Sequence, residues 1–297
     1  MNRENRILLL KKKKNAIILA HNYQRPEIQD LADVVGDSYE LAREASKTES
    51  PLIVFCGVLF MAETAKIINP GKKVLIPVKD ATCPLADQLT PEMIVAAKSR
   101  YPDAPVVLYI NSTAACKALA DVICTSANAV TVVRSLSETD IIVGPDSNLA
   151  AYIQTQVPEK KIIAIPPDGH CYVHECFTTA DIEAARKRGG TIICHPECRP
   201  EIQRASDMVA STGGMVKAVI SQPGNRVWNI LTEKDMAYRL KTLYPVHTFH
   251  VKSEAVCDDM KKTTVGNLLE SLEKEQYEVT LPPDIMDRAR GQLSGCW

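Results

Sequence analysis

Three short stretches at regular spacing decide the fold: LAHNY at residues 19–23, VLYIN at 107–111 and ICHPE at 193–197. They align at offsets of 88 and then 86 residues, and further positions coincide at the same offsets. The coinciding residues include triplets of aspartate (Asp33, Asp121, Asp207), cysteine (Cys83, Cys171, Cys257) and threonine (Thr90, Thr178, Thr264). Apolar matches are common between any two strands, whereas identical polar triplets at fixed offsets are not. The chain therefore contains one unit three times.

Each copy alternates apolar, β-rich runs with helical stretches. In the first copy, NAIILAH, PLIVFCG and KKVLIPV have the character of strands, and SYELAREASK that of a helix. This alternation predicts an α/β fold: three pseudo-threefold-related, three-layer αβα modules with parallel sheets around a central active site. The predicted modules are residues 1–83 plus 265–297, 84–171 and 172–264. QYEVTLPP, at 276–283, is predicted to be a last strand that returns to the first module.

Composition limits the classes of function. The chain has 297 residues, 45% of them hydrophobic, and a formal net charge of −1, which argues against a nucleic-acid binder. No apolar run approaches the roughly 20 residues of a membrane helix, and no signal peptide is visible. We therefore expect a cytoplasmic protein without a membrane or nucleic-acid partner. In such a compartment the ten cysteines indicate metal ligation or catalysis rather than disulfides.

The cysteine triplet points to one shared metal centre. Three equivalent thiolates that meet at a common axis suit three corners of a [4Fe–4S] cluster and leave one iron open as a Lewis acid. Zinc is an alternative, because GHCYVHEC (169–176) and CHPEC (194–198) bring Cys and His together at short spacing. A third interpretation is that the cysteines are ordinary buried thiols.

Polar residues follow the predicted strands, where parallel sheets collect their ligands. The first strands are followed by His21 and Tyr23, by Tyr109 and Asn111, and by His195 and Glu197. The second strands lead to Ser38, Ser126 and the pair Ser211-Thr212 at predicted helix N-termini, which bind carboxylates or phosphate, although simple N-capping is the alternative. Glu197, close to His195, is the best candidate for a general acid–base.

Long motifs resemble those of the quinolinate synthase family between about residues 15 and 283. They include LAHNYQRPEIQDLADVVGDS, ATCPLAD, VLYINSTAACKALADVICTSANA, DGHCYVH, HPEC, STGGM and AVCDDMKKTT. The resemblance implies condensation of iminoaspartate with dihydroxyacetone phosphate to quinolinate, with release of phosphate and water, in de novo NAD synthesis. It also implies a [4Fe–4S] cluster with three cysteine ligands, and an aspartate oxidase or dehydrogenase that supplies iminoaspartate.

The resemblance assigns roles to individual residues. Cys83, Cys171 and Cys257 would ligate the cluster; Glu197, Tyr23, His195 and His21 would be catalytic. The substrate would bind to His21, Ser38, Tyr109, Asn111, Ser126, His174, His195, Glu197, Ser211 and Thr212, with His174 at the edge of the cavity. The chain ends in Cys296-Trp297 without the C-terminal CxxC-type motif of longer members, which puts a regulatory disulfide in doubt.

Two other functions fit the residues. One is an iron–sulfur hydro-lyase that acts on small dicarboxylates, and the other is a zinc-stabilised binding module without catalysis.

Overall fold

A computed structural model describes residues 1–293, apart from the side chain of Tyr39; Cys296 and Trp297 lie outside the described residues. The first sheet contains β1 (Ala16–His21), β2 (Val34–Gly36), β3 (Leu52–Cys56) and β4 (Lys73–Leu75). Its helices are α1 (Arg3–Lys13), α2 (Pro26–Leu31), α3 (Ser38–Lys47), α4 (Leu59–Ile68) and α5 (Pro84–Asp87).

The second unit has the same sequence of elements. Its strands are β5 (Val106–Tyr109), β6 (Val122–Cys124), β7 (Asp140–Gly144) and β8 (Lys161–Ala164). Its helices are α6 (Pro91–Arg100), α7 (Ala114–Lys117), α8 (Ala129–Ser135), α9 (Ser147–Gln156) and α10 (Tyr172–Glu175).

The third unit repeats the pattern again. Its strands are β9 (Thr191–Cys194), β10 (Met208–Val209), β11 (Val227–Leu231) and β12 (Thr248–Val251). Its helices are α11 (Thr179–Arg188), α12 (Pro200–Ala205), α13 (Thr212–Ile220), α14 (Met236–Leu243) and α15 (Asp258–Lys261); α16 (Val265–Lys274) and α17 (Pro283–Leu293) follow.

The three sheets have one topology. Their strand orders are β2-β1-β3-β4, β6-β5-β7-β8 and β10-β9-β11-β12, and every named strand pair is parallel. The central strands are buried, as β3 is along its whole length, because helices cover both faces of each sheet. The prediction of an α/β fold with three αβα modules is confirmed, and the residue boundaries between the modules stay a prediction.

Each residue of the aspartate triplet stabilises the first strand of its own sheet. A carboxylate oxygen of Asp33, Asp121 or Asp207 accepts a 2.8 Å hydrogen bond from a backbone N–H of the first strand of its own module. The other oxygen of each aspartate pairs with a cation of the helix before that strand; the cations are Lys11, Lys98 and Arg186. The repeated aspartates therefore have a structural role.

The threonine triplet also has a structural role. Thr90, Thr178 and Thr264 are the N-cap residues of α6, α11 and α16. Threonine is favoured there because its side chain pairs with backbone N–H groups that the helix leaves free. Because the aspartates and threonines have structural roles, the cysteines are the repeated triplet that remains as a candidate for metal binding or catalysis.

The segment after α16 returns to the first sheet, as predicted, but it does so through a single bridge and not as a strand. The Val279 N–H donates to the carbonyl of Val74 (2.8 Å), and Leu75 and Glu278 form an antiparallel bridge. Two residues later, Pro282 and Pro283 have no N–H to continue a ladder. Beyond them, α17 packs against α4 and α7.

Within residues 1–293, none of the helices has the length and apolar character needed to cross a membrane.

Candidate active site

One cavity collects equivalent residues from all three modules. Its lining residues include His21, Tyr23, Ser38, Cys83, Tyr109, Asn111, Ser126, Cys171, His174, His195, Glu197, Thr212 and Cys257. Two strands end at the cavity: β1 stops at His21 and β5 at Tyr109, while His195 follows β9 directly. Because the strands of each sheet are parallel, their carboxyl ends share one edge, and the residues after them meet there. The space between the lining atoms, including its opening to solvent, totals about 710 Å³.

The three repeated cysteines have equivalent places. Cys83, Cys171 and Cys257 are the N-cap residues of the four-residue helices α5, α10 and α15, and each is half-buried at the cavity. Burial raises the pKa of all three thiols, that of Cys257 to about 11, while backbone N–H groups of the following turns act in the opposite direction. Amides at a helix N-terminus favour a thiolate, which is the form that binds iron.

The cavity fits a group held by three thiolates. The other cysteines of the described chain, Cys56, Cys116, Cys124, Cys176, Cys194 and Cys198, do not line it. Soft thiolate ligands select iron–sulfur clusters, among other centres. A cluster bound by these three cysteines would keep one corner free of a fourth cysteine from the described residues.

Glu197 is one of the polar side chains that line the cavity, and it is 3% exposed. Its Oε1 accepts a hydrogen bond from Oη of Tyr109 (2.7 Å), and its Oε2 lies 2.8 Å from Nδ1 of His174. Burial alone would raise the pKa of Glu197, but His174, His195 and the Tyr109 hydroxyl outweigh it and hold the pKa below its usual range. The side chain is therefore a carboxylate near pH 7.

His21 and His195 present matched imidazoles. Nδ1 of His21 accepts the backbone N–H of Tyr23 (3.2 Å), and Nδ1 of His195 accepts that of Glu197 (3.3 Å). Burial lowers the pKa of both rings to about 3. Each ring is thus neutral near pH 7, and with Nδ1 occupied as an acceptor its proton sits on Nε2. The cavity gains two uncharged N–H donors.

His174 lines the same cavity and is buried from solvent. It is 2% exposed, and its ring stacks on that of His195 at 4.6 Å. Its Nε2 lies 2.8 Å from Oγ1 of Thr232, which in turn lies 2.5 Å from Oη of Tyr23. The ring lies between Glu197 and Thr232 in the interior of the protein.

Thr232 was missed by the sequence reasoning. It directly follows β11, the strand next to β9, so the rule that carboxyl ends of parallel strands share an edge was the signal that would have found it. Lys261 was missed too. Its ammonium group lies 2.8 Å from Glu233 and 2.6 Å from Asp235, and it donates to the carbonyl of Tyr23.

The hydroxyl groups predicted at helix N-termini divide into three cases. Ser38 and Thr212 are the first residues of α3 and α13 and line the cavity. Ser211 is the N-cap of α13, where its hydroxyl accepts the N–H of Gly214 (3.1 Å). Ser126 lines the cavity but does not begin a helix.

The prediction that Ser126 lies at a helix N-terminus was wrong. The side chain of Asn128 accepts hydrogen bonds from the backbone N–H (2.7 Å) and the hydroxyl (3.0 Å) of Thr125. These bonds close a turn, and α8 begins after it, at Ala129. Short Asn side chains stabilise such turns in competition with helix.

The zinc alternative also has a geometric counterpart. Donor atoms of Cys171, His174 and Glu197 lie within 4.8 Å of one another. These residues come from the two short-spaced segments that the sequence suggested for zinc. In the structure, however, the imidazole and the carboxylate face each other at 2.8 Å, so a metal ion between them would have to displace that contact.

Three histidines of the described chain lie outside this cavity: His250 belongs to β12, opposite Asn229 of β11, and the other two have side-chain contacts of a structural kind. Nδ1 of His170 lies 2.8 Å from the carbonyl of Asp168 on the exposed surface. His247 accepts the backbone N–H of Arg226 and packs beside Trp228. Neither residue lines the site.

Comparison with known proteins gives one consistent result. A model of the family described as "Quinolinate synthetase A protein" matches residues 5–296. A quinolinate synthase of Pyrococcus furiosus is 54% identical over 284 residues, which cover 95% of this chain and 92% of that protein. Quinolinate synthases of Thermotoga maritima and Methanothermobacter thermautotrophicus are each 50% identical over 96% of this chain and 95% and 94% of their own lengths. This chain belongs to the quinolinate synthetase A family.

Proposed function

We propose that the chain condenses iminoaspartate with dihydroxyacetone phosphate to form quinolinate, releasing phosphate and water, as a condensing transferase of de novo NAD synthesis. The relatives named above are quinolinate synthases over nearly their full lengths. The observation that carries the proposal is the single cavity in which one equivalent cysteine from each module faces the buried Glu197, His21 and His195. An aspartate oxidase or dehydrogenase would supply the iminoaspartate.

Cys83, Cys171 and Cys257 would hold a [4Fe–4S] cluster as its three protein ligands. When bound, the cluster supplies a Lewis acid at its open iron, which assists the departure of hydroxide. The thiols must lose their protons to bind it, and the N–H groups at the N-termini of α5, α10 and α15 favour that loss.

The polar side chains that line the cavity would bind and orient the substrates. Ser38 and Thr212 offer hydroxyl groups at the starts of α3 and α13, where a helix also presents free backbone N–H groups to carboxylate or phosphate oxygens. Neutral His21 and His195 would donate from Nε2 to substrate oxygens. These contacts suit two anionic substrates that must be brought together before any bond forms.

Proton transfers would use Glu197 and Tyr23. Condensation and ring closure require protons to leave carbon or nitrogen and to reach departing oxygens. Glu197 is ionised and so able to accept a proton, and Tyr109 fixes its orientation through the 2.7 Å hydrogen bond. Burial, and then the charge of Glu197, raise the pKa of Tyr23 well above its usual value, so its phenol stays protonated until a base takes the proton.

The direct test uses anaerobically purified protein supplied with iminoaspartate and dihydroxyacetone phosphate. We expect quinolinate and phosphate to form in equal amounts, with carbon label from the triose phosphate entering the ring. An iron–sulfur hydro-lyase would instead interconvert dicarboxylates without taking up that label. A zinc-stabilised binding module, which the grouping of Cys171, His174 and Glu197 favours as a second candidate, would contain zinc and no inorganic sulfide.

A further inference from the structure

Three buried polar side chains occupy matched positions in the three modules. At the repeat offsets of 88 and 86 residues, Gln29 corresponds to Lys117 and then to Gln203. Gln29 and Gln203 lie in α2 and α12, and Lys117 is the last residue of α7, the equivalent helix. In chain order the three side chains are 6%, 0% and 7% exposed. None of the three lines the active-site cavity, so the roles assigned above do not use them.

In the first module, Gln29 holds the turn that follows β1. Its Nε2 donates to the carbonyls of Asn22 (3.1 Å) and Gln24 (2.9 Å), which stand on either side of Tyr23 in the chain. A third carbonyl, that of Asp235 in the third module, lies 3.3 Å from the same nitrogen. One amide group therefore connects the turn that carries Tyr23 to the adjoining module.

Gln203 repeats this arrangement in the third module. Its Nε2 donates to the carbonyls of Pro196 (2.8 Å) and Cys198 (2.7 Å), which stand on either side of Glu197. The carbonyl of Asn148, in the second module, lies 3.2 Å away. The turn that carries Glu197 is thus held in the same way, and again by a contact that crosses between modules.

In the second module an ammonium group takes the place of the amide. Nζ of Lys117 donates to the carbonyl of Ser112, which directly follows Asn111, and the Ser112 hydroxyl donates to the carbonyl of Tyr109 (2.9 Å). Nζ also lies 5.2 Å from the ring centroid of Phe60, a cavity residue of the first module. The cation therefore holds the turn between Tyr109 and Ser112 and contacts the adjoining module.

Glu63 explains how an ammonium group is accommodated at this position. Lysine is almost never fully buried unless it is paired. Burial raises the pKa of Glu63 in α4, and the charge of Lys117 opposes that shift. Oε2 of Glu63 also accepts the N–H of Ala114 (2.9 Å), at the start of α7. The charge of Lys117 therefore stabilises the contact of α4 with α7, whereas its N–H groups hold the turn.

We propose that Gln29, Lys117 and Gln203 are positioning residues for the reaction, each of which fixes one turn of site residues and connects it to the adjoining module; this rests on the proposed function. The turns carry His21 and Tyr23, Tyr109 and Asn111, and His195 and Glu197. Because these pairs come from three modules, a shift of one turn moves its side chains relative to the other two pairs. A misplacement of about 1 Å by a distant change can cost about 10²-fold in rate.

The first test compares Lys117→Met, which removes the N–H groups, with Lys117→Gln, which introduces the amide that the other two modules use. We expect Lys117→Met to lower kcat/KM per bound cluster by about 10²-fold. Lys117→Gln should restore most of kcat/KM but should be less stable than wild type, because Glu63 loses its cation. Near-normal kcat/KM in the Lys117→Met protein, or no recovery in the Lys117→Gln protein, would overturn the proposal.

The matched control is Lys72→Met. Lys72 also donates from Nζ to backbone carbonyls, those of Ala45 and Thr48, but it does not line the cavity and holds none of the three turns. Its replacement should leave kcat/KM per bound cluster near normal.

A double-mutant cycle shows whether Lys117 acts through Tyr109. In Tyr109→Phe protein the hydroxyl contact with Glu197 is already lost, so Lys117→Met should cost only about 10-fold or less in kcat/KM, since residues in one network are not additive. The same loss in both backgrounds would show a merely structural role and would overturn the proposal.

If the Lys117→Met protein does not fold, Gln203→Leu provides the same test in the third module. It removes the donor to the carbonyls on either side of Glu197, and kcat/KM should fall by about 10²-fold. In Glu197→Gln protein the further loss should be much smaller. Near-normal turnover of the Gln203→Leu protein would overturn the proposal. If the wild-type protein forms no quinolinate, the proposed function fails instead, so the two failures are distinct.

Discussion

Oη of Tyr109 donates a 2.7 Å hydrogen bond to Oε1 of Glu197, although the two residues belong to different copies of the repeated unit. Tyr109 is the last residue of β5, and Glu197 comes three residues after the end of β9. The bond fixes the carboxylate at the junction of two modules. The acid–base geometry of the site therefore depends on how the repeated units pack together.

Glu197→Gln removes the charge of the carboxylate but keeps an oxygen that can accept from Tyr109. We expect kcat to fall by about 10²–10⁴-fold because a carboxamide cannot take up the proton. Cluster content, from the visible absorption, and product binding should change little. Near-normal turnover in this variant would remove Glu197 from the acid–base role.

Replacing single cysteines should distinguish the cluster ligands from cysteines that lie outside the cavity. Cys83→Ala, Cys171→Ala and Cys257→Ala should each abolish the absorption of a [4Fe–4S] cluster in anaerobically purified protein, and iron and sulfide should fall together. The control is Cys56→Ala, since Cys56 is buried in β3 away from the cavity and its replacement should leave the cluster intact. A fully loaded cluster in the Cys171→Ala protein would refute the ligand assignment.

The two neutral histidines predict an acid-sensitive fold. Burial lowers the pKa of His21 and of His195 from 6.5 to about 3, with Lys261 adding to the effect at His21. The unfolded chain therefore binds protons below pH 6.5 that the folded protein does not, and the stabilisation is lost as the pH falls from 6.5 towards 3. Each histidine accounts for about 1.4 kcal/mol of unfolding free energy per pH unit in that window.

The measurement is the unfolding midpoint temperature at pH 7 and pH 5.5, at matched cluster content, for wild type and His195→Gln. The wild-type midpoint should fall more steeply, because the variant has lost one group that titrates on unfolding. Equal slopes for the two proteins would contradict the buried, neutral state of His195.

The aspartate triplet predicts a loss of stability without a loss of chemistry. Asp121→Ala deprives the N–H of Val106 of its 2.8 Å acceptor, and we expect a cost of about 1–3 kcal/mol. The lost pairing with Lys98 adds little, because that contact is exposed. Activity per bound cluster should stay normal. Asp103→Ala, at an exposed aspartate, is the control, and equal stability of the two variants would contradict the structural role of Asp121.

The repeat made most of the fold predictable. Matched triplets such as Asp33, Asp121 and Asp207 are visible in the sequence because each does the same local task three times. The same repeat predicts that Cys83, Cys171 and Cys257 meet, and all three line one cavity. The sequence was a poor guide where the copies differ.

Those differences explain the errors. Asn128 closes a turn in the second module where the first and third modules begin a helix at once, and no pattern in the alternation of strands and helices signals it. Thr232 contacts Tyr23 and His174, which are far from it in the sequence and are brought to it only by the packing of the modules.

The central claim is that three equivalent thiolates hold one cluster in the cavity of Glu197. Iron anomalous scattering from crystals of the anaerobically purified protein tests it most directly. The account predicts a four-iron density bonded to Cys83, Cys171 and Cys257, with one iron bound to no side chain of the protein. A single metal ion bonded to Cys171, His174 and Glu197 would contradict it.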